Sequence, residues 1–340
     1  MIYKAESIVF LFFLIVTFVV GDISPCYYMN YGANNSEPKI LHVYQRSENG
    51  FLLFYTVTDI LVFFSIISVC SRKHKTVALA VCPMRDHVHL LLKCGSRKEA
   101  EPFIREYSAL YAQSFNESMG RHGKVFRKSF GCAVKTGLKR IRTACSYVYN
   151  NPVEKGIGKR AEECRWTFLA YAKSEHPFSE PYKARLATTA LKKSIQLIQS
   201  RSNRGLYLTH KMLEQMFASV SERERNQLAD YIVSLYNPID YRTLISFYGD
   251  YSMMCLAFAS NQGSEYDILE ERGKGSDRVY SDIASVLLKD FGFSRVKDVL
   301  KATMEEIPNI YLTLLTRTAA SPLQVRKYMR LAIANDWPSI

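Results

Sequence analysis

Between Lys39 and Asn151 the spacing of apolar side chains alternates between strand and helix periods. Lys39 to Arg46 carries Ile40, Leu41 and Val43 and predicts a strand. Asp59 is suited to cap a helix, rich in Leu, Phe and Ile, that runs to about Ser71. Thr76 to Cys82 predicts a second strand of small and β-branched residues. Pro83 to Asp86 predicts a turn, and His87 to Lys93 a third strand. Arg97 to Met119 places Phe103, Tyr107, Leu110, Tyr111 and Phe115 on one stripe of a long amphipathic helix. Gly120 to Thr136 is basic, punctuated by glycine, and leaves room for one more strand. Leu138 to Asn151 predicts a helix ended by Pro152. The order β-α-β-β-α-(β)-α predicts an α+β class: a ferredoxin-like antiparallel sheet with helices on one face.

Beyond Tyr171 the pattern changes. Residues 173–184 contain two prolines and read as a linker, which separates residues 39–172 from an all-α C-terminal domain at 185–340. Helical spacing recurs at 187–200, 210–219, 222–236, 241–247, 281–291 and 296–305, with a polar loop at 262–277. Residues 309–335 form helix, short turn and basic helix, with Ser321-Pro322 suited to start the second helix. That outline fits either a helix-turn-helix reader exposing Arg326, Lys327 and Arg330 to DNA, or an ordinary helical hairpin with a wet basic face. At the other end, residues 1–38 form an apolar extension. Ile8 to Val20 resembles a signal-peptide core and is short of the about 20 residues that span a membrane. A membrane partner is not expected. Met29 is a plausible true start, and a cytoplasmic, nucleoid-associated protein is expected, with membrane or secretory routing as the alternative.

The net charge is +13, and it is concentrated. Residues 121–165 hold 12 Lys/Arg against 3 acids, interleaved with Phe126, Phe130, Tyr147, Tyr149 and Trp166. A basic, aromatic stretch suits single-stranded nucleic acid, whose phosphates need cations and whose bases stack on rings. Lys124, Arg127, Lys128, Lys135, Lys139, Arg140 and Arg142 are the candidate DNA contacts. A solvated charged face is the plainer account of the same stretch. The 8 cysteines show no Cys-x-x-Cys pair, which argues against structural zinc, and they read as reduced, small hydrophobes.

His87-Val88-His89 carries the chemistry. On a strand, residues two apart share a face, so both imidazoles point one way while Val88, Leu90 and Leu92 point to the other. Two adjacent imidazoles are at ease when neutral and sharing a cation, although the His-x-His spacing also arises by chance. Asn151 is a candidate third ligand. It lies one helical turn after Tyr147, so an amide oxygen and a phenol share a helix face. Its other explanation is the turn chemistry of a helix end. Imidazoles plus an amide oxygen suit Mg²⁺ or Mn²⁺. Nearby cations favour the Tyr147 phenolate as a nucleophile on phosphate. Tyr107, Tyr111 and Tyr149 are competing tyrosines.

These residues resemble a known family. Val81-Cys-Pro-Met-Arg-Asp-His-Val-His-Leu-Leu-Leu92 is similar to the HUH strand of single-tyrosine transposases. Ser146-Tyr-Val-Tyr-Asn-Asn-Pro-Val-Glu-Lys-Gly156 and Trp166-Thr-Phe-Leu-Ala-Tyr171 resemble the tyrosine helix and tail of REP-associated tyrosine transposases. Gly123-Lys-Val-Phe-Arg-Lys-Ser-Phe130 resembles the basic element between them. The resemblance covers about Lys39 to Tyr171 and departs from the family pattern at Asp86, where Asn is frequent and where a carboxylate could salt-bridge or tune the metal site. It implies a ferredoxin-like domain acting on single-stranded or hairpin DNA, with His87, His89 and Asn151 on a divalent metal and Tyr147 as nucleophile. The implied reaction is metal-dependent cleavage and strand transfer through a 5′-phosphotyrosine. A domesticated DNA-binding protein with little catalysis, or a metal phosphodiesterase without a covalent step, would carry the same motifs. A second copy of the chain is an allowed partner.

Overall fold

The structure, a computed structural model, describes residues 38–260 and 276–331. The N-terminal extension, the 262–275 part of the expected polar loop and the last residues of the 309–335 hairpin lie outside the described residues.

Four strands, β1 (Ile40–Arg46), β2 (Ala78–Pro83), β3 (His87–Leu92) and β4 (Gly131–Lys135), form one antiparallel sheet in the order β2-β3-β1-β4. This is the split pairing of a ferredoxin-like sheet. Register pairs Tyr44 with His89 and Arg46 with His87 across the centre. A register shift between Ala78 and Ala80 turns Leu79 and Ala80 to the same side. β2's outer edge is covered from the C-terminal half, where Ile239 bridges Ala78 and the Asp240 N–H donates to the Ala78 carbonyl at 2.8 Å.

Helix α1 (Val57–His74) starts from Thr56, whose hydroxyl and the Asp59 carboxylate cap each other's backbone N–H groups. Asp59 is therefore the third residue of a capping box rather than the cap itself. Helix α2 (Arg97–Met119) has the bounds the sequence predicts, with Ser96 at its start and Gly120, at φ 61°, closing it in the left-handed region. Both pack on the face formed by Leu41, Val43, Val81, Val88, Leu90 and Leu92. Helix α3 (Leu138–Glu154) packs Ile141, Ala144, Cys145 and Val148 on the opposite face, against Ile40, Leu79, Ala80 and Leu91. The sheet is therefore covered on both faces rather than on one, because Ile40, Leu79, Ala80 and Leu91 leave an apolar patch on the second face beside the polar side chains of the central strands. Helix α3 also continues two residues past Pro152, which forfeits a single hydrogen bond close to a helix end.

The C-terminal half contributes α4 (Thr189–Asn203), α5 (His210–Ala218), α6 (Glu222–Tyr236), α7 (Tyr241–Ser246), α8 (Tyr251–Ser260), α9 (Val279–Asp290), α10 (Glu306–Arg317) and α11 (Pro322–Met329). Residues 296–301 are a 3₁₀ turn, not an α-helix. Helix α8 escapes a periodic reading because apolar residues surround it on all sides. It backs the tyrosine helix, with Phe258 stacked on Tyr149 at 5.2 Å.

All the described residues fall in one compact unit. Helix α1 is apolar nearly all round and is enclosed by α2 on one side and α6 on another, so one core runs through both halves. Residues 173–184 are anchored as well. The buried Asp230 carboxylate accepts from Tyr171 Oη at 2.7 Å, the Phe178 N–H at 3.0 Å and Ser179 Oγ at 2.9 Å.

Candidate active site

The strand pleat builds the site. His42 and Tyr44 on β1 and His87 and His89 on β3 project from one face, toward α3. The His87 and His89 rings lie 5.0 Å apart, nearly perpendicular. Tyr147 comes down from α3 with its ring 5.6 Å from His89 and 5.8 Å from His42. Asn151, one turn on, brings its amide nitrogen to 3.4 Å from His89 Nε2. A half-turn of that amide puts the oxygen in the same place.

Each imidazole has one nitrogen fixed. His87 Nδ1 donates to Asp86 Oδ1 at 2.7 Å, so Nε2 is the nitrogen turned to the site, and in the neutral ring it is the one that carries the lone pair. That Nε2 is buried and has no hydrogen-bond partner. His89 Nδ1 shares a 3.0 Å hydrogen bond with His42 Nε2. Burial, and then repulsion from His87 and His42, pushes the His89 pKa well below its usual value and keeps the ring neutral. A buried, unpartnered imidazole nitrogen beside a neutral imidazole and an amide oxygen is a donor set that fits a divalent ion. Among the described residues no group of three or more His, Cys, Asp or Glu side chains is placed to hold a metal, so this set depends on the amide.

The competing tyrosines are engaged elsewhere. Tyr107 Oη donates to Gln45 Oε1 at 2.6 Å, Tyr111 Oη to the Leu53 carbonyl at 2.7 Å, and Tyr149 Oη to the Leu79 carbonyl at 2.8 Å. Burial raises the pKa of all three, which disfavours their phenolates.

Two further residues sit beside the histidines, and of these only Asp86 stands out in the sequence. His42 is the polar interruption of an apolar strand, Ile40-Leu41-His42-Val43, and period 2 sets it opposite Leu41 and Val43. That was the available signal. Asp86 stands out as a departure from a family pattern, a carboxylate able to salt-bridge or to tune the metal site. Burial opposes its ionisation, but the His87 hydrogen bond and the Lys327 ammonium outweigh burial and hold its carboxyl well below the usual range.

The expected DNA contacts divide. Lys124, Arg127, Lys128, Lys139 and Arg140 are exposed. Lys135 is buried at the end of β4, opposite Ile40. The Arg142 guanidinium donates to the Phe247 carbonyl at 2.5 Å. Phe126, Phe130 and Tyr149 are core residues rather than open stacking surfaces. In a short basic strap, the rings are what hold the strap to the domain.

The terminal hairpin differs most from expectation. Lys327 Nζ meets Asp86 Oδ2 at 2.8 Å, and the Arg330 guanidinium donates to the Leu52 carbonyl at 2.6 Å. Arg326 is half-buried. The basic side of α11 is therefore turned into the protein, because the Leu52 carbonyl and the Asp86 carboxylate are acceptors there.

Comparison with known proteins bears on this geometry. No curated protein matches the chain. A solved structure described as a REP-associated tyrosine transposase bound to a REP hairpin is 16% identical over 42% of this chain and 83% of that one, with a TM-score of 0.34. Residues 55–151 match the model of the family described as "Transposase IS200 like". That range contains the hairpin bearing His87 and His89 and runs through the tyrosine helix to Asn151, so the resemblance read from the sequence is borne out and this segment is of the IS200-like transposase family.

Proposed function

We propose that this protein cuts single-stranded or hairpin DNA and transfers the strand through a covalent bond to Tyr147. The observation that supports this reading is the convergence of Tyr147, Asn151, His89 and the unpartnered His87 Nε2 on one face of the sheet. The Tyr147 oxygen attacks the scissile phosphorus and gives up its proton. A phosphorus–oxygen bond to Tyr147 forms as the bond to the 3′ oxygen breaks, and that oxygen takes up a proton and leaves as a hydroxyl. The phosphoester is conserved, so a second hydroxyl can reverse the step on another end without ATP. His87, His89 and Asn151 would hold Mg²⁺ or Mn²⁺, which supplies positive charge to a non-bridging phosphate oxygen when bound. Asp86 and His42 fix the two rings in the tautomers that leave Nε2 facing the site. The exposed Lys124, Arg127, Lys128, Lys139 and Arg140 neutralise the DNA backbone.

A panel of labelled hairpin oligonucleotides tests this. With Mn²⁺ the wild type should form a denaturation-resistant adduct that EDTA abolishes and whose mass maps to Tyr147. Tyr147→Phe should bind DNA without forming it. A wild type that binds but never forms the adduct would favour a DNA-binding role alone, a second reading that the burial of Tyr147, 3% exposed, also supports. Continued cleavage by Tyr147→Phe would favour hydrolysis without a covalent step.

A further inference from the structure

Among the described residues, the C-terminal half makes an ion pair beside the histidine pair through Lys327, with the Asp277 carboxyl close enough to act on Asp86 and His87 through charge. Lys327, near the end of α11, sets its ammonium 2.8 Å from Asp86 Oδ2, while Asp86 Oδ1 accepts from His87 Nδ1 at 2.7 Å. Both side chains of the Lys327–Asp86 pair are 17% exposed, so the pair is largely shielded from water. The two carboxylate oxygens are thus divided between one lysine and one imidazole. With Nδ1 committed, His87 Nε2 is the nitrogen that faces inward, and it is the buried atom without a partner.

We infer that Lys327 is a positioning residue of the metal site, acting through Asp86 to fix the ring and tautomer of His87. This rests on the metal-site reading of His87 and His89. A carboxylate held by one hydrogen bond can swing about its last torsion, whereas one held at both oxygens cannot. The outer partner therefore sets how firmly the inner ring is aimed. Lys327 lies far outside residues 55–151, so the last described helix completes a site that the matched segment holds only in part.

Arg330 supplies the control. It docks the same helix, through the Leu52 carbonyl and over the Phe115 ring at 4.6 Å, without touching Asp86. Mn²⁺ binding to the full chain, read by the electron paramagnetic resonance of free Mn²⁺, separates positioning from docking. Lys327→Met, with Lys327→Gln as a second neutral variant, should weaken Mn²⁺ binding by about 10-fold or more, in the range of second-sphere changes. Lys327→Arg should stay within about threefold of wild type. Arg330→Met should leave Mn²⁺ affinity within about twofold while lowering thermal stability. In an Asp86→Asn background, Lys327→Met should cost little more, because both act through one route. Equal Mn²⁺ affinity in Lys327→Met and wild type, or equal losses in the Lys327 and Arg330 variants, would overturn the inference and leave the metal site standing. Wild-type Mn²⁺ binding that ignores His87→Ala would bring down the metal site itself, and this inference with it.

Discussion

Replacing Lys297 by Met should unlatch the two halves of the protein. Lys297, in the 3₁₀ turn at 296–301, is 2% exposed, and its ammonium lies 2.8 Å from Asp59 Oδ1 on a carboxylate that is fully buried. His210 Nε2 lies 3.1 Å from the same oxygen. The other oxygen, Oδ2, accepts the N–H groups of Tyr55 and Thr56, each at 2.8 Å. Removing one member of a buried ion pair costs about 3–5 kcal/mol, because a charge is left without compensation. The two backbone donors and His210 remain, so the lower end, about 3 kcal/mol, is expected. Met keeps the length of the Lys stem, so little of that loss comes from a cavity. Urea unfolding followed by circular dichroism and by fluorescence should show one coincident transition shifted to lower urea. In the Asp59→Asn background the same substitution should cost about 2 kcal/mol less, the signature of coupling through the carboxylate. A cost below about 1 kcal/mol, or two separated transitions in the wild type, would refute the claim that one shared core and its buried ion pair join the halves.

Three further outcomes follow from the same contacts. Burial opposes ionisation of Asp59, but Lys297 and His210 outweigh it and depress the folded-state pKa. Its contribution to stability is therefore full above the unfolded value of about 3.9 and declines as pH falls below it; Asp59→Asn should flatten the acid limb of a stability–pH curve, and an unchanged limb would contradict this. Tyr149→Phe leaves the buried Leu79 carbonyl without its donor and should cost about 1–2 kcal/mol while DNA adduct formation persists. Loss of the adduct in that variant would make Tyr149 a rival nucleophile. Lys139→Gln and Arg140→Gln, both at exposed positions, should each lower the slope of log affinity for single-stranded DNA against log salt by about 0.7. A slope equal to that of wild type would place the DNA path elsewhere.

Local chemistry made much of this protein legible. The period-2 pattern of His87–Leu92 puts both imidazoles on one side of a strand, and the i, i+4 spacing puts Tyr147 and Asn151 on one helix face, whatever else the chain does. The apolar stripe of α2 already gives that helix the bounds Arg97–Met119 that the structure shows. Single-residue signals were weaker. His42 looked like an isolated polar residue in an apolar strand, and α8 had no polar face to give it a period.

Only the tertiary structure decided which cations face solvent and which turn inward. Lys327 and Arg330 have the pattern of an exposed basic helix, yet Asp86, 241 positions earlier, and the loop 51–55 capture them. The physical reason is one of range. Side-chain period and capping act over a few residues and are written in local sequence. The partner of a buried charge is chosen by which elements the core brings together, and here a core shared by both halves carries α11 to the edge of the histidine site.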